Sequence, residues 1–94
     1  MQRPRSAEAI REWLVSRIGT VQGVPAAHVR TDEPLVATGL DSMQIVVLVG
    51  ELEEWLGCRF TDNPLIDYPT IDALSAYLAD QSARGNRTID PTKP

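Results

Sequence analysis

Apolar side chains recur at helical spacing in three separate segments of this sequence, and that pattern restricts the chain to a small helical fold. The first segment covers residues 6–18, and its apolar positions are Ile10, Trp13, Leu14 and Ile18. Spacings of three and four residues place these side chains on one face of a helix. Ser6 is the predicted N-cap, and Gly19 is the predicted end of this helix.

The second segment has the strongest helical pattern and runs from Asp41 or Ser42 to Leu56. At about 100° per residue, one face collects the apolar residues expected in the core, which are Ile45, Val46, Val49, Leu52 and Leu56. The opposite face collects Met43, Val47, Gly50, Glu51 and Glu54. Gly50 inside a helix costs about 1 kcal/mol relative to alanine, and close approach of another backbone is one reason for it.

Two further helices are predicted after the second one. Asn63 and Pro64 are typical of a cap and a first-turn proline, so they predict a short third helix that Pro69 ends. Thr70 then caps a longer helix that ends near Ser82. The apolar residues on one side of this fourth helix are Ile71, Leu74, Tyr77 and Leu78.

Residues 19–38 have no helical period and are interrupted by glycine and proline, which predicts a long loop. A short turn is predicted at residues 25–29, and three apolar residues are expected to anchor the loop on the core: Val29, Leu35 and Val36. The predicted fold class is therefore all-α, a four-helix bundle with three longer helices, one short third helix and a long first loop. Residues 1–83 form the predicted domain. Residues 84–94 are expected to be a disordered tail or linker, because GNRTIDPTKP loses the helical period.

Composition and charge argue against several classes of function. The single cysteine, Cys58, allows no internal disulfide, and the N-terminal stretch lacks the apolar run of a signal peptide, so a cytoplasmic location is expected. The apolar stretch Ile45–Val49 is far shorter than the roughly 20 residues of a membrane span, so no membrane association is expected. From Asp41 to Asp72 there are seven acidic residues and one basic residue. This charge repels nucleic acid and favours basic protein partners.

The candidate site is the sequence Gly39-Leu40-Asp41-Ser42-Met43, where the long loop reaches the second helix. The free N–H groups and the positive end of the dipole at a helix start favour a phosphate group. Gly39 supplies backbone freedom, and Leu40 is expected to point inward. Asp41 adjoins the Ser42 hydroxyl as a cap or as a contact for a modifying enzyme. An Asp-Ser pair alone usually forms only a helix cap, so the surrounding sequence must decide.

The surrounding sequence resembles the acyl carrier proteins over residues 6–82. GLDSM is similar to the phosphopantetheine attachment motif of that family, and PAAHVRTDEPLVATGLDS is similar to its first loop. GELEEWLGCRF and YPTIDALSAYL resemble the end of its second helix and its fourth helix. The resemblance implies a four-helix bundle with 4'-phosphopantetheine, derived from coenzyme A, joined to Ser42 by a phosphodiester. It also implies an acyl chain carried as a thioester on the distal sulfur.

One residue departs from the family pattern, because many members carry an acid where this sequence has Val47. The departure argues against a housekeeping role, and DSMQ with GELEEWLG resembles carriers of polyketide and related lipid pathways. The implied partners are a phosphopantetheinyl transferase, an acyl-AMP ligase or acyltransferase for loading, and a ketosynthase or other acyl-transferring enzyme. The predicted docking face consists of Met43, Val47, Glu51 and Glu54. The carrier is expected to be a monomer and not an enzyme.

Three alternatives remain open at this point. A peptidyl carrier of a nonribosomal peptide pathway is related, although Leu40 before Asp41 favours an acyl carrier. A helical module that docks a basic partner without a covalent group explains the acidic charge but not GLDSM. Direct catalysis has little support, because His28 is the only histidine and Ser42 lacks a Gly-x-Ser-x-Gly elbow. Cys58 has no neighbouring cysteine or histidine and is interpreted as a packing residue.

Overall fold

The computed structural model describes residues 5–92 and shows a small helical fold. It contains three α-helices: α1 (Ala7–Gln22), α2 (Ser42–Leu56) and α3 (Ile71–Ala83). Two short 3-10 turns, Ala26–His28 and Leu35–Thr38, lie in the loop between α1 and α2. Two strands, β1 (Arg59–Phe60) and β2 (Thr88–Ile89), pair in parallel. No helix within residues 5–92 has the length and apolar character needed to cross a membrane.

Each α-helix begins at a residue whose side chain accepts a hydrogen bond from a backbone N–H of the first turn. Ser6 accepts from Ala9, Asp41 from Gln44 and Thr70 from Ala73. These bonds satisfy amides that have no partner inside the helix. The three caps predicted from the sequence are therefore confirmed.

The first helix is longer than predicted, because Gly19 does not end it. α1 continues to Gln22, and Gly23 ends it in the left-handed conformation with φ 70°. Gly19 is buried, and a Cβ there would lie 2.9 Å from the carbonyl oxygen of Val24. Glycine at this position therefore lets the following loop approach the helix closely.

The core is formed by apolar side chains from all three helices, and α1 and α3 contribute its most deeply buried members. Those are Ile10, Leu14 and Ile18 from α1, and Ile71, Leu74 and Leu78 from α3. α2 turns Ile45, Leu48 and Leu52 inward. Val46 was expected in the core but is 65% exposed, because the three inward residues already cover the stripe that faces α1 and α3. The close contact expected at Gly50 is also wrong, since no described residue approaches the position of its Cβ within 4 Å.

The long loop between α1 and α2 is tied to the start of α3. The Leu35 N–H donates to the Pro69 carbonyl at 2.9 Å, and the Asp72 N–H donates to the Thr31 carbonyl at 3.0 Å. The turn predicted at residues 25–29 is confirmed by the 3-10 turn Ala26–His28. Leu35 is a buried anchor as predicted, whereas Val36, which follows it along the turn, points to solvent instead of the core.

The short third helix predicted after Asn63 is absent, so a four-helix bundle is not confirmed. The Asn63 side chain accepts from the Leu65 N–H at 3.0 Å, and the Tyr68 N–H donates to the Pro64 carbonyl at 2.9 Å. These bonds close consecutive turns over residues 64–67. Pro69 disfavours the helical conformation of the residue before it, so the turns cannot grow into a helix.

The C-terminal segment also differs from the sequence-based expectation of a disordered tail. Over residues 84–92 the chain is packed, and it forms β2 against β1. Ile89 is 2% exposed and joins the hydrophobic core. The all-α class therefore requires the addition of a two-stranded parallel sheet, which the loss of helical period in this segment did not reveal.

Candidate functional site

The segment predicted as the site forms the junction between the long loop and α2. Gly39 has φ 92°, a left-handed conformation that favours glycine. Leu40 is 8% exposed and belongs to the core cluster. The chain therefore turns at Gly39, is anchored by Leu40 and enters α2 at a fixed point. Both roles predicted from the sequence are confirmed.

A reciprocal capping interaction fixes the first turn of α2. The Asp41 carboxylate accepts from the Gln44 N–H at 2.8 Å, and the Gln44 side-chain oxygen accepts from the Asp41 N–H at 3.0 Å. The cap predicted at Asp41 is present. The part played by Gln44 was missed, although the spacing Asp-x-x-Gln at a helix start is a sequence signal for this interaction.

Ser42 is the first residue of α2 and is exposed. Within residues 5–92 no hydrogen bond holds its hydroxyl, because Asp41 and Gln44 already cap the turn. In the same part of the chain, the N–H groups of Ser42 and Met43 have no acceptor. A phosphate on the Ser42 oxygen would therefore lie beside free N–H donors at the positive end of the helix, so these residues fit a phosphodiester.

The predicted docking face is largely exposed. Met43 is 71% exposed, Val47 is 53% exposed and Glu54 is also on the surface. Glu51 differs, because it is half-buried and forms an ion pair with Arg17 of α1. Sequence reasoning missed Val46, whose spacing of three from Met43 and one from Val47 adds it to the same apolar surface.

The other candidate reactive groups lie outside this junction. His28 is exposed in the 3-10 turn Ala26–His28, and no hydrogen bond within the described residues joins it to Ser42. Cys58 is buried just after α2, and burial, with a smaller contribution from the charge of Glu53, raises the pKa of its thiol to about 11. The thiol is therefore protonated at neutral pH, in agreement with its interpretation as a packing residue.

Comparison with known proteins adds an independent line of evidence. Residues 12–78 match the family described as the phosphopantetheine attachment site. The acyl carrier protein TtuC of Teredinibacter turnerae is 32% identical over 74 residues, which cover 79% of this chain and 85% of that protein. The phenolphthiocerol/phthiocerol polyketide synthase of Mycobacterium tuberculosis contains a polypeptide that is 41% identical over 75 residues. That match covers 79% of this chain but only 4% of the synthase polypeptide.

Two solved structures share the fold. An acyl carrier protein from Anabaena sp. PCC 7120, described as having a variant phosphopantetheinylation-site sequence, superposes with a TM-score of 0.77 at 29% identity. The superposition covers 86% of this chain and 92% of that one. The acyl carrier protein LipD from Actinoplanes friuliensis gives a TM-score of 0.70 at 35% identity, over 84% and 88% of the two chains.

Fold, site and similarity agree on a carrier that holds its cargo covalently. The chain belongs to the phosphopantetheine attachment-site family, within the acyl carrier proteins. Its cofactor is covalently attached 4'-phosphopantetheine. The alternative of a docking module without a covalent group is therefore not supported.

Proposed function

We propose that Ser42 is the attachment residue and that the chain carries acyl groups between enzymes of polyketide or related lipid and secondary-metabolite biosynthesis. The observation that supports this most is the free, exposed hydroxyl of Ser42 at a helix start that Asp41 and Gln44 cap without it. A serine used only as a cap would have its oxygen bonded to a first-turn N–H.

The protein's own residues prepare the attachment point. Gly39 and Leu40 fix the path of the loop, and the capping pair fixes the first turn of α2. The N–H groups of Ser42 and Met43 offer hydrogen bonds to the phosphate oxygens. The phosphopantetheine arm supplies a thiol that carries the acyl group as a thioester. A tether of this kind raises the effective concentration of the acyl group at a partner's active site.

The polyketide assignment is supported by relatives rather than by the site. The chain aligns with a segment of a polyketide synthase polypeptide that is far longer than itself, and with a discrete acyl carrier protein. The proposed partners are a phosphopantetheinyl transferase, an acyl-AMP ligase or acyltransferase that loads the arm, and a ketosynthase or other acyl-transferring enzyme. We place the protein in the cytoplasm, as a monomer without catalytic activity of its own.

The proposed docking face begins beside Ser42 and follows α2. Met43, Val46 and Val47 supply exposed apolar contacts, and Glu54 supplies negative charge farther along the helix. Glu51 contributes less charge than the sequence suggested, because Arg17 pairs with it. A small apolar patch beside acidic groups suits weak and reversible docking of basic partners, which a shuttling carrier requires.

Intact-mass spectrometry tests the proposal. The full chain is incubated with coenzyme A and a broad-specificity phosphopantetheinyl transferase, and we expect the mass of one phosphopantetheine to be added. Ser42→Ala should abolish the addition, whereas Ser16→Ala, an exposed serine of α1, should not. The same preparation should show no hydrolysis of simple esters. Addition to Ser42→Ala, or ester turnover by the unmodified chain, would refute the proposed role of this serine.

A further inference from the structure

The last described segment of the chain is held against the C-terminal end of α2. We name residues 84–91 the C-terminal strap. The Arg59 N–H donates to the Arg87 carbonyl at 2.7 Å, and the Thr61 N–H donates to the Ile89 carbonyl at 2.9 Å. The Tyr77 hydroxyl adds a bond to the carbonyl oxygen of Asp90 at 3.1 Å. The strap lies outside residues 12–78, where the family match ends.

The strap covers part of the core and forms one wall of a cleft. Ile89 and Pro91 are buried, and they are the only side chains of the strap that are. Arg87 and Thr88 face Cys58 and the last turn of α2 across a cleft of about 490 Å³. The burial of Cys58 therefore depends in part on the strap being in place.

Few interactions hold the strap compared with those that hold the helices. Gly85, with φ 73°, separates it from α3 and can act as a hinge. No acidic side chain within residues 5–92 forms an ion pair with Arg87. Segments with few buried side chains and few hydrogen bonds open at lower free energy than the core of the same protein.

We propose that the C-terminal strap opens as a unit, hinged at Gly85, while the three helices remain folded, and that its opening uncovers Cys58 and the cleft. This inference does not depend on attachment at Ser42. The opening also changes the charge at the end of α2. Arg87 leaves a cleft that Glu54 also lines, so this end of the helix is more acidic when the strap is open, which favours a basic partner surface.

The rate at which Cys58 reacts with the thiol reagent DTNB, measured on the full chain at pH 8, tests the opening. Ile89→Ala should raise this rate at least about thirtyfold, which corresponds to the low end of the cost of removing a buried isoleucine side chain. Leu14→Ala removes a buried side chain of similar size from α1, and should leave the rate unchanged. The rate in the unsubstituted protein should depend only weakly on urea below the unfolding transition, because little surface is exposed by strap opening.

Two results would overturn the proposal. If Ile89→Ala and Leu14→Ala accelerate the reaction equally and the rate rises steeply with urea, Cys58 is reached only by global unfolding. If Ile89→Ala does not fold, Tyr77→Phe is used instead, since it loses only the hydrogen bond to Asp90 and should raise the rate roughly twofold to tenfold. No increase with Tyr77→Phe would also contradict strap opening. In hydrogen exchange, the Arg59 and Thr61 amides should exchange together and faster than the amides of α1.

Discussion

Asp41 and Gln44 exchange two hydrogen bonds across the first turn of α2, each side chain accepting from the other residue's backbone N–H. Ser42 lies between them in sequence and takes no part in the cap. The helix start is therefore stable without the Ser42 hydroxyl, and that oxygen is available for modification. Separation of the capping role from the modified residue explains how the helix can begin directly at the attachment point.

Removal of the cap should destabilise the protein and impair loading. Asp41→Ala should lower the free energy of unfolding by about 1 kcal/mol, because the Gln44 N–H loses its acceptor. Asp41→Asn keeps an oxygen acceptor and serves as the control. Urea denaturation followed by circular dichroism measures the difference, and equal stability of the two variants would show that the cap is not important.

The glycines at positions 19 and 50 should respond in opposite ways to alanine. Gly50→Ala should stabilise the protein by up to about 1 kcal/mol, since space is open there and alanine favours a helix. Gly19→Ala should destabilise it, because the new Cβ would lie 2.9 Å from the Val24 carbonyl oxygen. Thermal unfolding of the two variants provides the comparison. A shift in the same direction for both would contradict the packing described at Gly19.

The docking face predicts a charge-dependent loading rate. Glu54→Lys should reduce the transferase kcat/KM roughly tenfold at low salt and less at high salt, because it places a positive charge on the surface that attracts basic partners. Val47→Asp should also slow loading, by placing a charge in the apolar part of that surface. Glu12→Lys, an equally exposed acid on α1, is the matched control. Equal slowing by Glu12→Lys would show that only net charge matters.

The buried thiol of Cys58 predicts a loss of stability at alkaline pH. Its pKa is about 11 in the folded protein, against an ordinary value of 9.0. Between these values the unfolded chain has lost a proton that the folded chain retains, so stability falls as pH rises from about 9 to 11. The slope is at most about 1.4 kcal/mol per pH unit. Urea midpoints at pH 8 and pH 10 should show a smaller loss for Cys58→Ala than for the unsubstituted chain, and identical losses would contradict this account.

Periodicity and capping chemistry were sufficient to predict the three α-helices. Ser6, Asp41 and Thr70 were identified because cap residues directly precede apolar periodic segments, and the structure confirms each one. The loop entry at Gly39 and Leu40 was predicted for the same kind of local reason. The position of the candidate site is therefore encoded within a few residues of Ser42.

The features that were missed depend on contacts between distant parts of the chain. β1 and β2 contain two residues each, too few to show an alternating pattern, and they pair across the whole of α3. Val46 is adjacent to the predicted core stripe, and only the packing of α2 against its neighbours decides that it faces solvent. Gly19 looks like a helix end in sequence, because the approach of the Val24 carbonyl cannot be read from composition or spacing.

The most direct test of the account is to locate the modification on the protein isolated from its native host. Proteolysis followed by fragmentation in a mass spectrometer should place a single phosphopantetheine on the Ser42 oxygen, with no modified peptide elsewhere. A phosphopantetheine on any other residue, or a protein that carries none while its pathway is active, would contradict the claim that α2 begins at the attachment site.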